Sequence, residues 1–308
     1  VQWWFEQPWI AYALIAGLVL MIAALTIEHH RKHPLVQTRW LGMADTLRFA
    51  VGAIALRFVL AEQNYGAVGL LQTLGMGADQ LRGLYTVMLI GLVLGIVVSA
   101  LTFGPRTIVA QIVLSIVLIA TGSFLDTDAT NLTRPHDMFL SQGMLSFAGG
   151  LFMGPLMLTG VMKALKNGPN YLVSFAVLFS ITQSLGGLAG PAVFGTFQVV
   201  REKTHSSYLT EQINPADPIV AQRLQLQGQL YAPLISDPLL RQAQGSAQLS
   251  QVVRREANVL AFNDVFRLIG LVAISVLSWS LFHILRAARQ KKRESLASVT
   301  PPTDIQDT

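Results

Sequence analysis

Long stretches without a charged residue are the feature that most limits how this chain can fold. An apolar helix of about 20 residues crosses the hydrocarbon core of a bilayer. Only 13% of the 308 residues are charged and the mean hydropathy is +0.49, whereas soluble domains carry roughly 25% charged residues. Each uncharged stretch is therefore a predicted membrane span. These stretches are residues 9–27, 84–103, 108–124, 138–162 and 171–200.

Two further segments have the character of spans in spite of their charges. An apolar run near the C-terminus becomes long enough to cross when the preceding VLAFNDVF is included, which gives a last span within residues 256–287. Residues 45–74 contain Arg48, Arg57 and Glu62 but remain apolar between them, so we expect a helix there as well. The sequence thus predicts an all-α, polytopic membrane protein with seven transmembrane helices.

Lys and Arg residues collect in the loops on one side of the predicted membrane. Cytoplasmic loops carry an excess of these residues. Only Arg82 and Arg134 lie in the short loops of the opposite side. The sequence therefore predicts an outside N-terminus and a cytoplasmic C-terminus. The basic residues of the predicted cytoplasmic side are Arg31, Lys32, Arg39, Arg106, Lys163, Lys166, Arg286, Arg289, Lys291, Lys292 and Arg293.

This orientation divides the chain into an outside segment (1–8), six spans (9–200), a long outside loop (201–255), the last span (256–287) and a disordered cytoplasmic tail (288–308). The outside loop is rich in Gln and has leucines at helical spacing, so we expect one or two short amphipathic helices there, the last running from about Ser246 into the final span. The chain begins with Val rather than Met, directly before a span, and we expect it to be the later part of a longer protein.

The residue types needed for several functions are missing. The chain has no cysteine, which excludes disulfides, thiol catalysis and cysteine-based metal sites. HHRKH at 29–33 superficially resembles a histidine metal site, but such a site needs several imidazoles at one depth, and the other three histidines are scattered. No nucleophile motif or phosphate-binding loop occurs. We therefore expect no enzyme activity, metal or cofactor, and no nucleic-acid partner.

Polar residues inside the spans are the candidates for function, because an ionisable group in a membrane is costly. Arg48 lies one turn after Asp45, near the cytoplasmic end, which favours either a structural ion pair or a side chain that extends to the membrane surface. Arg57 is nearer the middle and has no acid three or four positions away, so it must find a partner on another helix or line a water-filled cavity. Gln183 either hydrogen-bonds to a neighbouring helix or lines a cavity.

Glycine clusters occur in two spans, FAGGLFMG at 147–154 and SLGGLAGPAVFG at 184–195. Small residues allow helices to approach closely, and Pro155 and Pro191 are expected kink sites. Two interpretations stay open, simple close packing and helices that slide or bend during transport.

Four stretches together resemble one family. They are IEHHRKHPLVQTRWL, YGAVGLLQTLGMGADQLRGL, SLGGLAGPAVFGT and EANVLAFNDVF, in this order, with a large outside loop before the last. The chain thereby resembles the C-terminal half of the fourteen-helix drug:proton antiporters of the major facilitator superfamily (the EmrB/QacA type). The resemblance implies that its seven spans correspond to helices eight to fourteen and that it lies in a bacterial inner membrane.

The resemblance also implies a proton-coupled secondary transporter that exports lipophilic compounds. Its partners would be membrane lipid, small lipophilic substrates and protons, and some members also work with a periplasmic adaptor protein and an outer-membrane channel. The two halves of such a transporter rock about a midplane cavity. In this half the cavity would draw on the Arg57 helix, the glycine-rich spans and Gln183. Asp45, Glu62 and Asp264 would be the remaining candidates for proton coupling.

Asp264 and Arg267 lie three residues apart at the predicted outer end of the last span. This spacing places them on one helix face, where an interfacial ion pair is expected. The Asp264 position belongs to the family motif, which makes it chiefly an architectural residue.

Other functions stay open at this stage. The predicted topology fits a seven-helix receptor or sensor, and a membrane-embedded enzyme would need a catalytic constellation that the sequence lacks. A truncated transporter without activity is the third alternative, because half of such a transporter cannot alternate access by itself.

Overall fold

The computed structural model describes residues 7–32, 34–104, 107–213 and 217–297, and every regular element in these residues is helical. The all-α prediction is confirmed. The long elements are α1 (Pro8–His30), α3 (Ala44–Val59), α5 (Ala78–Leu101), α6 (Ile108–Leu125), α7 (Phe139–Asn167), α8 (Tyr171–Glu211) and α10 (Pro238–Ala297). The shorter ones are α2 (Thr38–Leu41), a π-helical segment (Glu62–Ala67), α4 (Val68–Thr73), two 3-10 turns (Asp126–Asp128 and Pro135–Met138) and α9 (Pro218–Gln229).

Six helices of the described part are long and apolar enough to cross a membrane: α1, α5, α6, α7, α8 and α10. Large apolar side chains cover their outer faces, such as Leu89, Ile90 and Leu94 on α5. Water disfavours an apolar surface of this extent, so the six helices indicate a membrane location. The segment predicted as a seventh span, 45–74, instead comprises α3, the π-helical segment and α4 in succession. Neither α3, with 16 residues, nor α4, with 6, is long enough alone.

Helix α1 stands apart from the other helices. None of its residues is buried. Where the chain leaves α1, the Glu28 carboxylate accepts hydrogen bonds from the backbone N–H groups of Leu35 and Val36. This side chain closes the turn that connects α1 to the remaining helices.

The other long helices form a bundle with two close, parallel crossings. In the first crossing, α5 lies against α7. A Cβ atom added at Gly91 would fall 2.7 Å from the carbonyl oxygen of Gly143, and one added at Gly95 would fall 2.9 Å from the backbone nitrogen of Leu151. The two backbones therefore touch, and only glycine fits at these positions of α5.

The second crossing joins α3 to α8 in the same manner. A Cβ atom at Gly186 would fall 2.8 Å from the carbonyl oxygen of Ile54, and one at Gly190 would fall 2.8 Å from that of Phe58. Both α5 and α8 thus present a Gly-xxx-Gly pair to the partner backbone. The close-packing interpretation of the cluster at 184–195 is confirmed for these two glycines.

The pairing of the helices has a twofold pattern. One triplet consists of α3 with its continuation to α4, then α5 and α6; the other consists of α7, α8 and α10. Matched in chain order, α3 corresponds to α7, α5 to α8 and α6 to α10. Under this correspondence the α3–α8 crossing is equivalent to the α7–α5 crossing, and the contact between α6 and α10 is equivalent to itself. Three contacts depart from the pattern. Helix α8 packs on α10 and α7 packs on α8, whereas neither α5 with α6 nor α3 with α5 packs to the same extent, and α6 lies against α7 more extensively than α10 lies against α3.

The loops lie at two ends of the bundle. We call the end with residues 31–32, 34–43, 102–104, 107 and 168–170 the basic end, and the end with residues 74–77 and 126–138 the long-loop end. At the long-loop end, Gly75 has a φ of +88°, a conformation that glycine adopts without strain and that lets the chain turn from α4 to α5.

The predicted outside loop is largely helical. Helix α8 continues to Glu211, α9 follows, and α10 begins at Pro238, so the helix expected from about Ser246 into the last span exists and begins earlier. Helix α9 packs against α10. Residues 288–297 belong to α10, which corrects the prediction of a disordered tail there, because the final span continues without a breaker. Residues 298–308 lie outside the described residues.

Replacing Gly95 by valine is expected to prevent α5 and α7 from packing. The added side chain would meet the backbone of α7, and overpacking of this kind costs typically about 1–3 kcal/mol, occasionally more. The measurements are the yield of monodisperse protein in detergent and its thermal unfolding midpoint. Gly52→Val is the control, because a Cβ there has nothing within 4 Å. Equal yields and midpoints for both variants would contradict the proposed crossing.

Candidate functional site

A buried carboxyl group lies where the first triplet meets the second. Glu62 begins the π-helical segment and is 0% exposed. The side-chain amide of Gln142, in the first turns of α7, donates towards both of its oxygens, with Nε2 3.1 Å from Oε1 and 3.2 Å from Oε2. Gln142 is fully buried as well. The structure thus places Glu62, a predicted coupling residue, in the interior of the bundle.

A second carboxyl group shares the same amide. Asp126, at the end of α6, is 5% exposed, and its Oδ2 lies 2.8 Å from Nε2 of Gln142. Both carboxyl groups thus accept from one amide nitrogen, which places them next to each other. None of the ion pairs in the described part of the chain includes Glu62 or Asp126. We call Glu62, Asp126 and Gln142 the carboxyl cluster.

The residue after Glu62 extends the polar contact with α7. Nε2 of Gln63 donates to the Ser146 hydroxyl at 2.6 Å and to the backbone carbonyl oxygen of Gln142 at 3.2 Å. Two successive side chains of the π-helical segment therefore bind one face of α7.

The same segment also contacts α8 and α10. The Tyr65 hydroxyl donates to Oε1 of Gln198 on α8 at 3.4 Å. Gly66 faces Phe266 of α10 so closely that an added Cβ would lie 2.7 Å from the ring. π-Helical turns are rare and are frequent at functional sites. Here one such turn contacts three different helices within a few residues, α7 and α8 through side chains and α10 through the backbone of Gly66.

The loop after Asp126 is attached to α10. The Asn263 side chain donates to the backbone carbonyl oxygen of Ala129 at 2.9 Å, and the Asn131 side chain donates to the Glu256 carboxylate. These bonds fix the loop that follows Asp126 against α10 at the long-loop end.

Asp264, another predicted coupling residue, connects α10 to α8. Its Oδ2 accepts a hydrogen bond from Nε of Arg201 at 2.6 Å and lies 2.7 Å from Nε2 of His205. The predicted pair with Arg267 is present but longer, with 3.6 Å between Nη1 and Oδ1. The prediction of a local pair within one helix was therefore incomplete, because the shorter contacts come from a helix about 60 residues earlier. The architectural role expected for Asp264 fits this contact between helices.

The remaining predicted residues do not join the carboxyl cluster. The Asp45–Arg48 ion pair is confirmed, with 3.3 Å between Oδ1 and Nη1, but both side chains are largely exposed. Arg57 is half-buried, and its guanidinium lies beside Gly187 of α8. A Cβ atom added at Gly187 would be 3.5 Å from Nε and 3.6 Å from Nη2 of Arg57. Within the described residues neither Arg57 nor the half-buried Gln183 has a hydrogen-bond partner or an ion pair.

Sequence reasoning missed Asp126 and Gln142. Asp126 directly follows the uncharged stretch 108–124 and was assigned to a loop, where an acid needs no explanation. Gln142 is a polar residue within the uncharged stretch 138–162, and this was the signal that could have drawn attention to it. Gln142 is 80 positions from Glu62 and 16 positions from Asp126 in the sequence. No local spacing pattern indicates contacts over such separations.

The described residues contain no group of three or more His, Asp or Glu side chains that could hold a metal ion. No family model, curated protein or solved structure matches the chain.

Replacing Asp264 by asparagine is expected to weaken the packing of α10 on α8. Hydrogen bonds to charged groups contribute roughly 1.5–3 kcal/mol, so the free energy of unfolding should fall by about that amount. The measurement is thermal unfolding of the purified protein. The matched control is Asp79→Asn, whose ion pair with Arg82 is almost fully exposed and contributes about 0–1 kcal/mol. Equal effects of the two substitutions would contradict the assigned contact.

Proposed function

We propose that the chain is half of a proton-coupled secondary transporter that exports lipophilic compounds from the bacterial cytoplasm. The observation that carries the proposal is the twofold pattern of the bundle. Secondary transporters are commonly built from inverted repeats, in which the second copy of a helix triplet crosses the membrane in the opposite direction.

The two close crossings support an inverted repeat. Exchanging the triplets exchanges α5 with α8, and each of these two helices presents a Gly-xxx-Gly pair to the first helix of the other triplet. The first helices, α3 and α7, begin at opposite ends of the bundle. A repeat of this kind also agrees with the resemblance to the C-terminal half of the major facilitator superfamily antiporters, in which α3 with its continuation to α4 would be one complete span and the seven predicted spans would be helices eight to fourteen.

The proposed orientation places the basic end in the cytoplasm and the long-loop end outside. Helices α3 and α8 then bring Arg57, Gln183 and the glycine pair of α8 to one region between the two ends. Arg57 has no acidic partner among the described residues, so its charge is available to an amphipathic substrate or to a group of the other half. Membrane lipid, lipophilic substrates, protons and a periplasmic adaptor with its outer-membrane channel are the proposed partners.

Inside-out membrane vesicles that contain the complete protein are expected to accumulate lipophilic dyes when a proton gradient is present. An ionophore that collapses the gradient should abolish this accumulation. In these vesicles the dye enters the acidic lumen in exchange for protons that leave it, so the antiporter needs the gradient. Dye fluorescence provides the measurement, and vesicles without the protein provide the control. Equal accumulation in both kinds of vesicle, over a broad set of compounds, would refute export.

The orientation can be tested with single cysteines, because the chain has none of its own. Ser207→Cys, on the exposed extension of α8, is expected to react with a membrane-impermeant maleimide in intact spheroplasts. Lys166→Cys, at the basic end of α7, should react only after the membrane is opened. The reverse labelling pattern would overturn the orientation.

A further inference from the structure

The carboxyl cluster contains fewer hydrogen-bond donors than its acceptors require. Nε2 of Gln142 supplies two hydrogens, and the single hydrogen of the neighbouring Ser141 hydroxyl is donated to the Met138 carbonyl oxygen. The oxygens of Glu62 and Asp126 and Oε1 of Gln142 all accept. Oε1 has no partner although it is buried. Turning the amide round would place an oxygen against three carboxylate oxygens, so this arrangement of the amide is the favourable one. One additional hydrogen would relieve the deficit.

The charge of the cluster points to the same missing hydrogen. Both carboxyl groups lie within hydrogen-bond distance of the same Nε2 of Gln142, so two ionised groups would place like charges close together in the protein interior, where they repel more strongly than in water. Buried charges are normally paired with an opposite charge or a metal ion. Glu62 and Asp126 have neither among the described residues. A proton bound between them removes one charge and supplies the missing donor.

The charged groups on the elements near the cluster either bind other partners or are exposed. On α10, Arg255 donates to the carbonyl oxygen of Leu74, and Glu256 accepts from Asn131. Asp264, also on α10, is held by α8. On α5, Asp79 pairs with Arg82 at the exposed surface. Asp128, in the same turn as Asp126, is exposed, and residues 138–162 of α7 carry no charge.

The position of the cluster suits a proton that takes part in transport. Glu62 belongs to the first helix of one triplet and Gln142 to the first helix of the other, so their contact crosses the boundary between the proposed repeats. Coupling-ion sites of secondary transporters lie at such boundaries. The loop that follows Asp126 is fixed to α10 by Asn263 and Asn131 at the long-loop end, which is the proposed outside.

We propose that Glu62 and Asp126 together bind the single proton that is exchanged for substrate. The proton adds to one carboxylate oxygen, and the resulting O–H donates to the other carboxylate. On release the proton returns to water, and the Gln142 amide holds the two ionised groups. The binding site follows from the cluster itself, while the use of the proton in transport rests on the proposed function.

The binding of the proton is tested by infrared difference spectroscopy of the complete, purified protein in lipid across a pH titration. The wild type should show the C=O band of a protonated carboxyl group that disappears as the pH rises. The double variant Glu62→Gln, Asp126→Asn should lack this band. Asp128→Asn is the matched control, since Asp128 is an exposed acid two residues from Asp126, and it should retain the band. A band of unchanged size in the double variant overturns the proposal.

The use of the proton is tested with the single variants in vesicles. Glu62→Gln and Asp126→Asn should each lose dye accumulation driven by the proton gradient but retain downhill dye movement, because substrate still passes while coupling is lost. Asp128→Asn should retain both activities. A purely structural role of the cluster would abolish both activities in the single variants, and this outcome overturns the inference. So does gradient-driven accumulation that persists in both.

The two readouts separate this proposal from the proposed function. A pH-dependent band assigned to Glu62 and Asp126, together with a wild type that transports no compound, would refute the exporter and leave the proton site intact. Gradient-driven export by the wild type, with a band that the double variant retains, would support the exporter and refute the proton site.

Discussion

Direct contact between helix backbones is the constraint on which the rest of the structure depends. In a bilayer the lipid tails are as apolar as the helix surfaces, so the hydrophobic effect does not press spanning helices together. Helices α5 and α7, and likewise α3 and α8, instead approach until carbonyl oxygens of one lie against glycines of the other. A methyl group at Gly95 or Gly190 would separate them, and the polar contacts that lie along the same crossings would lengthen with the gap.

Hydropathy predicted most of the helices correctly because it is a local property. The uncharged stretches from 84–103 onwards fall on α5, α6, α7 and α8, and the final span lies within α10. The prediction was weakest where charges enter a helix, since residues 45–74 comprise three successive elements. Helix α1 buries none of its residues although its hydropathy equals that of α5. Burial depends on which helix lies alongside, and hydropathy contains no information on that.

The candidate site shows the same limit more sharply. Glu62 was named, with Asp45 and Asp264, as one of the acids left for proton coupling under the family resemblance, which rests on residue type and position alone. Asp126 and Gln142 became meaningful only through their contact with Glu62, and that contact exists because α6 and α7 meet the π-helical segment. Arg57 appeared the strongest candidate by depth alone, yet its surroundings are glycines of α8. The position of a polar residue along a predicted span therefore predicts the free-energy cost of burying it. Which groups it can bind, and what it can do, depend on the side chains packed around it.

Helix α10 runs without interruption through 60 residues. At 1.5 Å per residue it is about 90 Å long, roughly twice the thickness of a bilayer with its headgroups, about 40–45 Å. A helix of this length that crosses a bilayer would extend beyond the lipid for about half of its residues. If it tilted by a few degrees about its middle, each end would move by a few ångströms for geometric reasons alone. Because Asn263 and Asp264 lie near the middle, the contacts of α10 with the loop after Asp126 and with α8 would move least.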